Sequence, residues 1–201
     1  MSVTAPESKG RPANRGPAGA GAWLAWFAVA MLLCQGGPWA PAAGEEITLT
    51  EYDLKANWVF QFTKYVEWPP EALGEASAPF VIGMAGKAPF GSNLADLVKG
   101  ETAKGHPIQI RHFKPGEDVS GCHLLFISRA ESSRLKDLLA AVRGHSILTV
   151  GETEDFIKEG GMINLELVGR RICCDLNKRA ADQAGLKPKP QLRPVLRSVK
   201  E

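Results

Sequence analysis

Gly121-Cys122-His123-Leu124-Leu125-Phe126-Ile127-Ser128 decides the fold. The run is apolar from Leu124 to Ile127 without alternation, so both faces of a strand here are covered, which predicts a central strand. On its C-terminal side, a helix from Ser132 or Ser133 to Arg143 buries Leu135, Leu138, Leu139 and Val142, and Ser146 to Val150 reads as the next strand. On its N-terminal side, Phe80 to Met84 is a short apolar run bounded by Pro and Gly, suited to a buried strand. A turn from Ala85 to Gly91 follows, and Ser92 is placed to cap a helix carrying Leu94, Leu97 and Val98. Gly100 to Pro107 reads as a polar connection. Ile108, Ile110 and His112 then alternate with Gln109 and Arg111, the pattern of a half-exposed strand near a sheet edge. Strands alternating with helices predict the α/β class, a three-layer α/β/α sandwich around an open, mostly parallel sheet.

Further out, Thr50 caps a helix starting at Glu51 with Leu54, Trp58, Phe62 and Tyr65 as its apolar face, ended at Pro69-Pro70. Glu71 to Pro79 reads as a loop. Glu154 to Lys158 reads as a short helix stopped by Gly160-Gly161. Met162 to Val168, the Gly169-Arg170 turn and Arg171 to Leu176 form a C-terminal hairpin, and Asn177 caps a last helix through Ala184. The Pro115 to Gly121 connection is short for a parallel crossover, so the strands it joins are either antiparallel or linked by a helix-free crossing. Residues 187–201 hold three prolines and five bases against one acid, and read as an extended or mobile tail.

The N-terminus carries Lys9, Arg11 and Arg15 against Glu7, then an uncharged run including Trp23 to Leu33, then Gly36-Gly37-Pro38. A basic start, a short apolar run and small residues at Ala40 and Ala42 describe a secretory signal peptide over 1–42, cut after Ala42. Lipidation at Cys34 and retention as an N-terminal membrane anchor are the alternatives. The expected organisation is a signal peptide (1–42), an α/β domain (43–186) and a Pro-rich basic tail (187–201). Removing 1–42 leaves as many acids as bases, so no basic field argues for nucleic acid.

Cys122, Cys173 and Cys174 remain after cleavage. Either Cys122 bridges to Cys173 or Cys174, which face opposite ways on a strand, or all three are buried small hydrophobes. His106, His112, His123 and His145 lie in no HExxH spacing, and no CxxC, GxSxG, Walker A or GxGxxG pattern occurs. No catalytic residue, metal site or cofactor is assigned. His123 reads as structural, and Asp53, Glu67, Glu152, Asp155 and Asp175 as scattered acids. A parallel sheet offers a ligand crevice at the carboxyl ends of its strands. Its rim here is Gly86, Lys87 and Phe90 after the first strand, Ser128 and Arg129 after the central one, and Gly151 after the next. Phe90 either stacks on a ligand there or packs under the helix that follows it.

Five segments occur in an order and rough spacing that carry a resemblance: Phe62-Thr63-Lys64-Tyr65-Val66-Glu67-Trp68-Pro69, Pro89-Phe90-Gly91, Gly121 to Ser128, Leu148-Thr149-Val150-Gly151 and Gly160-Gly161-Met162-Ile163-Asn164. Together they resemble the YfiR family of exported bacterial proteins, from about Tyr52 to Leu186. The resemblance implies an α/β/α sandwich in the periplasm and a non-enzymatic regulator that represses an inner-membrane diguanylate cyclase by protein contact. The partner expected is that cyclase or another membrane sensor protein, with a homodimer as a further assembly. A small-molecule sensory module using the carboxyl-end crevice is the alternative function. The cysteines form no evident pairs, and the Pro-rich segment from Lys187 stands where the family usually has an amphipathic helix.

Overall fold

Thr50 begins the first helix with a reciprocal cap: its hydroxyl accepts the Asp53 N–H at 3.2 Å, and the Asp53 carboxylate accepts the Thr50 N–H at 2.7 Å. The computed structural model describes residues 49–87 and 90–201, so the expected signal peptide over 1–42, its cleavage after Ala42 and the alternatives at Cys34 lie outside the described residues. Among the described residues no helix is long and apolar enough to cross a membrane.

Helix α1 (Glu51–Tyr65) leads into β1 (Val66–Glu67) and α2 (Pro70–Leu73), a single turn where the sequence reads as loop. Pro70 occupies its first position, where a missing N–H costs nothing. Then come β2 (Phe80–Ala85), α3 (Asn93–Val98), β3 (Thr102–Ala103), β4 (His106–Phe113) and β5 (Leu124–Ile127). A 3₁₀ segment (Arg129–Arg134) runs into α4 (Leu135–Ala141), followed by β6 (Leu148–Gly151), β7 (Ile163–Val168), β8 (Arg171–Asn177) and α5 (Lys178–Gln183). Ser92 makes no capping hydrogen bond to α3; Asn93 instead donates its side-chain amide to Asp53 of α1.

One sheet of eight strands runs β10-β8-β7-β6-β5-β2-β4-β3, where β10 is Leu196–Lys200. The five strands β4-β2-β5-β6-β7 are mutually parallel, β8 returns antiparallel to β7, and β3 folds back on β4. The α/β class, the mostly parallel sheet and the C-terminal hairpin are therefore present. Phe80, Ile82, Met84, Leu124, Phe126, Val150 and Ile163 face α1 and α3, while Leu125 and Ile127 face Leu135, Leu138 and Leu139 of α4. These two clusters are the two interlayer cores of the sandwich.

Chain order β2, β4, β5, β6, β7 against spatial order β4-β2-β5-β6-β7 is the doubly wound 2-1-3-4-5 arrangement, with its switch point between β2 and β5. The short connection from β4 to β5 takes the helix-free route. It crosses β2 at Gly83, where an added Cβ would lie 2.6 Å from the Phe113 ring and 3.0 Å from Cys122 Sγ. A glycine there lets the crossing lie against the sheet without a helix to lift it.

Two further expectations change. Residues 187–201 join the fold: β9 (Lys187–Pro188) pairs with β1, a 3₁₀ turn (Pro190–Val195) buries Leu192, and β10 pairs parallel with β8. Pro188 ends β9 while Pro190 and Pro194 sit in the turn, leaving Leu196 to Lys200 free of proline and able to donate to the sheet. Glu154 to Lys158 is a run of turns, not a helix, because Phe156 turns back into the core. Its ring fills the space beside Gly151 and Gly161, where an added Cβ would come within 2.1 Å and 2.2 Å of ring carbons.

Gly151→Ala and Gly161→Ala are each expected to cost about 1–3 kcal/mol of stability in urea denaturation, as overpacking against a fully buried ring requires. Adding Phe156→Leu to either is expected to return part of that loss, giving a non-additive cycle.

Candidate functional site

The carboxyl ends of β2, β5 and β6 carry the rim that the strand order designates. Lys87 is exposed there. Phe90 is only 3 % exposed; its ring meets Tyr52 and Phe126 edge-on with centroids 6.1 and 4.7 Å away. Packing under the neighbouring helices is thus its role, and the crevice beside it, about 90 Å³, is smaller than a metabolite needs. At Gly151 the Phe156 ring takes the space that a ligand would need. At the switch point itself the space beside Gly86 is taken by the side chains of Glu131 and Ser128.

Arg129 does meet a partner there, an acid that no local pattern singles out. Glu152, directly after β6, is buried and accepts the Arg129 backbone N–H through Oε1 at 2.9 Å. Its other oxygen, Oε2, accepts a hydrogen bond from Lys55 Nζ at 2.6 Å. The Arg129 guanidinium adds a donation to the Glu152 carbonyl oxygen at 3.3 Å. Lys55 has no exposed surface; its ammonium also reaches Glu51 at 2.5 Å and lies 5.1 Å from the centre of the Tyr52 ring. A buried ion pair therefore ties α1 to the ends of β5 and β6, across 97 residues of sequence.

The α1 stripe explains why sequence reasoning passed over Lys55. Leu54, Trp58 and Tyr65 of the predicted face are only partly buried, and the buried residues are Lys55, Ala56, Val59, Phe60, Phe62 and Thr63. Lys55, Val59 and Phe62 follow helical spacing, so a lysine in line with an apolar stripe was the available signal.

Beyond this pair, β7 runs past the end of β6 and forms the wall of a groove of about 550 Å³, lined by Glu51, Arg129, Glu152, Thr153, Glu154 and Asn164 to Leu167. Thr153 Oγ1 and Asn164 Oδ1 in this lining, and Ser128 Oγ beside it, are buried and without a hydrogen-bond partner among the described residues. Such groups carry a desolvation cost that a bound polar group relieves.

The cysteines stay as thiols. Cys122 packs in the α4-side core and Cys174 in the α1-side core, on opposite faces of the sheet. Cys173 sits on β8, three strands from β5, or roughly 14 Å at the usual interstrand spacing, while a disulfide spans less than about 7 Å between Cα atoms. Burial pushes the Cys122 and Cys174 thiols up to about 12, so neither is a nucleophile at neutral pH. His123 commits both ring nitrogens to backbone: Nδ1 accepts the Val81 N–H at 2.9 Å, and Nε2 lies 3.1 Å from the Ala72 carbonyl oxygen, to which it donates. No acid approaches it within these bonds, and its stacking on Phe80 at 4.8 Å fits a structural residue.

The class these features define is a doubly wound α/β sandwich whose rim is tied by a buried ion pair and whose His123 and buried thiols serve packing. The YfiR/HmsC-like family model matches residues 52–195, and the chain belongs to that family. No curated protein matches the chain. A solved conserved domain protein from Vibrio cholerae O1 biovar El Tor shares the fold at a TM-score of 0.50 and 12 % identity, over 76 % of this chain. The chain spans 61 % of the length of that protein.

Lys55→Met is expected to cost about 3–5 kcal/mol, because it strands the Glu152 carboxylate in the interior. Lys55→Met with Glu152→Leu is expected to recover most of it, both read from urea denaturation. The pH dependence has the opposite origin. Burial, ahead of every other influence, holds His123 below its ordinary value of 6.5. Its contribution to stability is complete above about pH 6.5 and is lost as pH falls towards the folded-state value, since the unfolded chain takes up the proton first. Urea midpoints are expected to fall more steeply on acidification in the wild type than in His123→Gln.

Proposed function

We propose that this protein is a periplasmic repressor that lowers the output of an inner-membrane diguanylate cyclase by direct contact. The family match over residues 52–195 is the observation that carries it. The chemistry of the site supports contact rather than catalysis. Glu152 is neutralised by Lys55, His123 holds backbone, and the buried thiols stay protonated. Each of these groups does structural work that a reaction would have to interrupt. Deleting the gene is expected to raise cellular cyclic-di-GMP, and the tagged protein is expected to recover a membrane cyclase after cross-linking. An unchanged cyclic-di-GMP level together with no cyclase in the recovered material would overturn the proposal.

A second reading, a sensory module for a small polar molecule, draws on the groove at the carboxyl ends. Its support is the pair of unpartnered buried oxygens, Thr153 Oγ1 and Asn164 Oδ1, in a lining of suitable volume. A thermal shift against a panel of metabolites that disappears in Asn164→Ala would favour this reading. A shift that survives Asn164→Ala would place the ligand elsewhere.

A further inference from the structure

The opposite end of the sheet holds a second cavity, of about 390 Å³, unrelated to the rim described above. Its floor is built by register. Val150 pairs with Ile163 and Ile163 with Leu176, so Thr149 and Asn177 flank Met162 one step nearer this end, and Lys200 lies opposite Asn177 on β10. The Met162 N–H donates to Thr149 Oγ1 at 3.0 Å, and the Met162 carbonyl oxygen accepts the Asn177 N–H at 2.8 Å. Thr149 and Asn177 are both deeply buried, at 1 % and 6 % exposure.

The state of these two side chains gives the cavity its polarity. Thr149 Oγ1 is occupied as an acceptor by Met162, and Asn177 Oδ1 is occupied as an acceptor by the Ala180 N–H at 3.1 Å. What each has left is a donor: the threonine O–H and the asparagine NH₂. Among the described residues neither of these donors has an acceptor. Above the floor, Arg143, Arg179 and Lys200 line the opening, and none of them forms an ion pair among the described residues. The acid of the lining, Glu159, is held at 3.5 Å by Lys136. Two deeply set side chains, each with a donor to spare, beneath three cations that form no ion pair among the described residues make a lining suited to an anion.

We infer that this cavity, bounded by Thr149, Asn177, Arg143, Arg179 and Lys200, binds a small anion bearing two or more negative charges on phosphate or carboxylate groups. Its location, at the amino ends of β6 and β7, separates it from the groove at the carboxyl ends. Its occupancy does not depend on any cyclase.

Calorimetric titration of the purified protein with pyrophosphate and, separately, with citrate distinguishes phosphate from carboxylate chemistry. One or both are expected to bind saturably, more weakly as salt is raised, because the rim cations are exposed to screening. Asn177→Asp tests the floor. Aspartate caps α5 as well as asparagine does, yet it replaces the free donor with a carboxylate, so folding is retained and binding is expected to be abolished. Arg143→Ala with Arg179→Ala, both surface changes, is expected to weaken binding by about tenfold or more, and Lys87→Ala at the other end to leave it unchanged. Failure of both probes to bind the wild type would overturn the inference. So would binding that survives both Asn177→Asp and the arginine pair.

Discussion

A lysine with no surface in water sets the arrangement of this domain. Lys55 lies within the stripe that α1 presses onto the sheet, and its ammonium is balanced by Glu152 at the end of β6. An isolated charge in that position would cost several kcal/mol, so helix and sheet are compatible only where both partners meet. The pair thus fixes how far α1 lies along the strands. The same carboxylate holds the Arg129 N–H, which sets the path of the chain as it leaves β5. Three elements distant in sequence share one carboxyl group, and the groove walled by β7 takes its floor from them.

The parallel centre was legible because Leu124 to Ile127 and Phe80 to Met84 are apolar on both faces, which leaves a strand nowhere to go but the middle of a sheet. The α4 face was legible for a similar reason, since Leu135, Leu138, Leu139 and Val142 repeat at helical spacing and all are buried. What was not legible depends on partners remote in sequence. Lys55 is marked only by standing in line with Val59 and Phe62, and nothing local distinguishes Glu152 from the other acids. The proline-rich segment after Leu186 was misread on composition, because its prolines cluster ahead of the strand rather than within it. Phe90 and Gly151 were candidates by position along the chain, yet one is core and the other makes room for Phe156.

The two ends of the sheet differ in what they offer a partner. At the carboxyl end Lys55 and Glu152 satisfy each other and the unmet buried groups are oxygens. At the amino end the acceptors are consumed and the unmet groups are donors and cations. One scaffold therefore presents surfaces of different chemical demand. Because both surfaces are built on strand ends, each is supported by the same sheet.

Phe156 has a consequence of another kind. Its ring occupies volume that a side chain at Gly151 or at Gly161 would need, so the three positions form one steric unit. A lineage drifting by single changes meets a barrier at either glycine for as long as the ring is present. Once the ring is lost, both glycines are released together. In a broad set of relatives these three positions are expected to covary, with glycine at both sites wherever an aromatic residue stands between them.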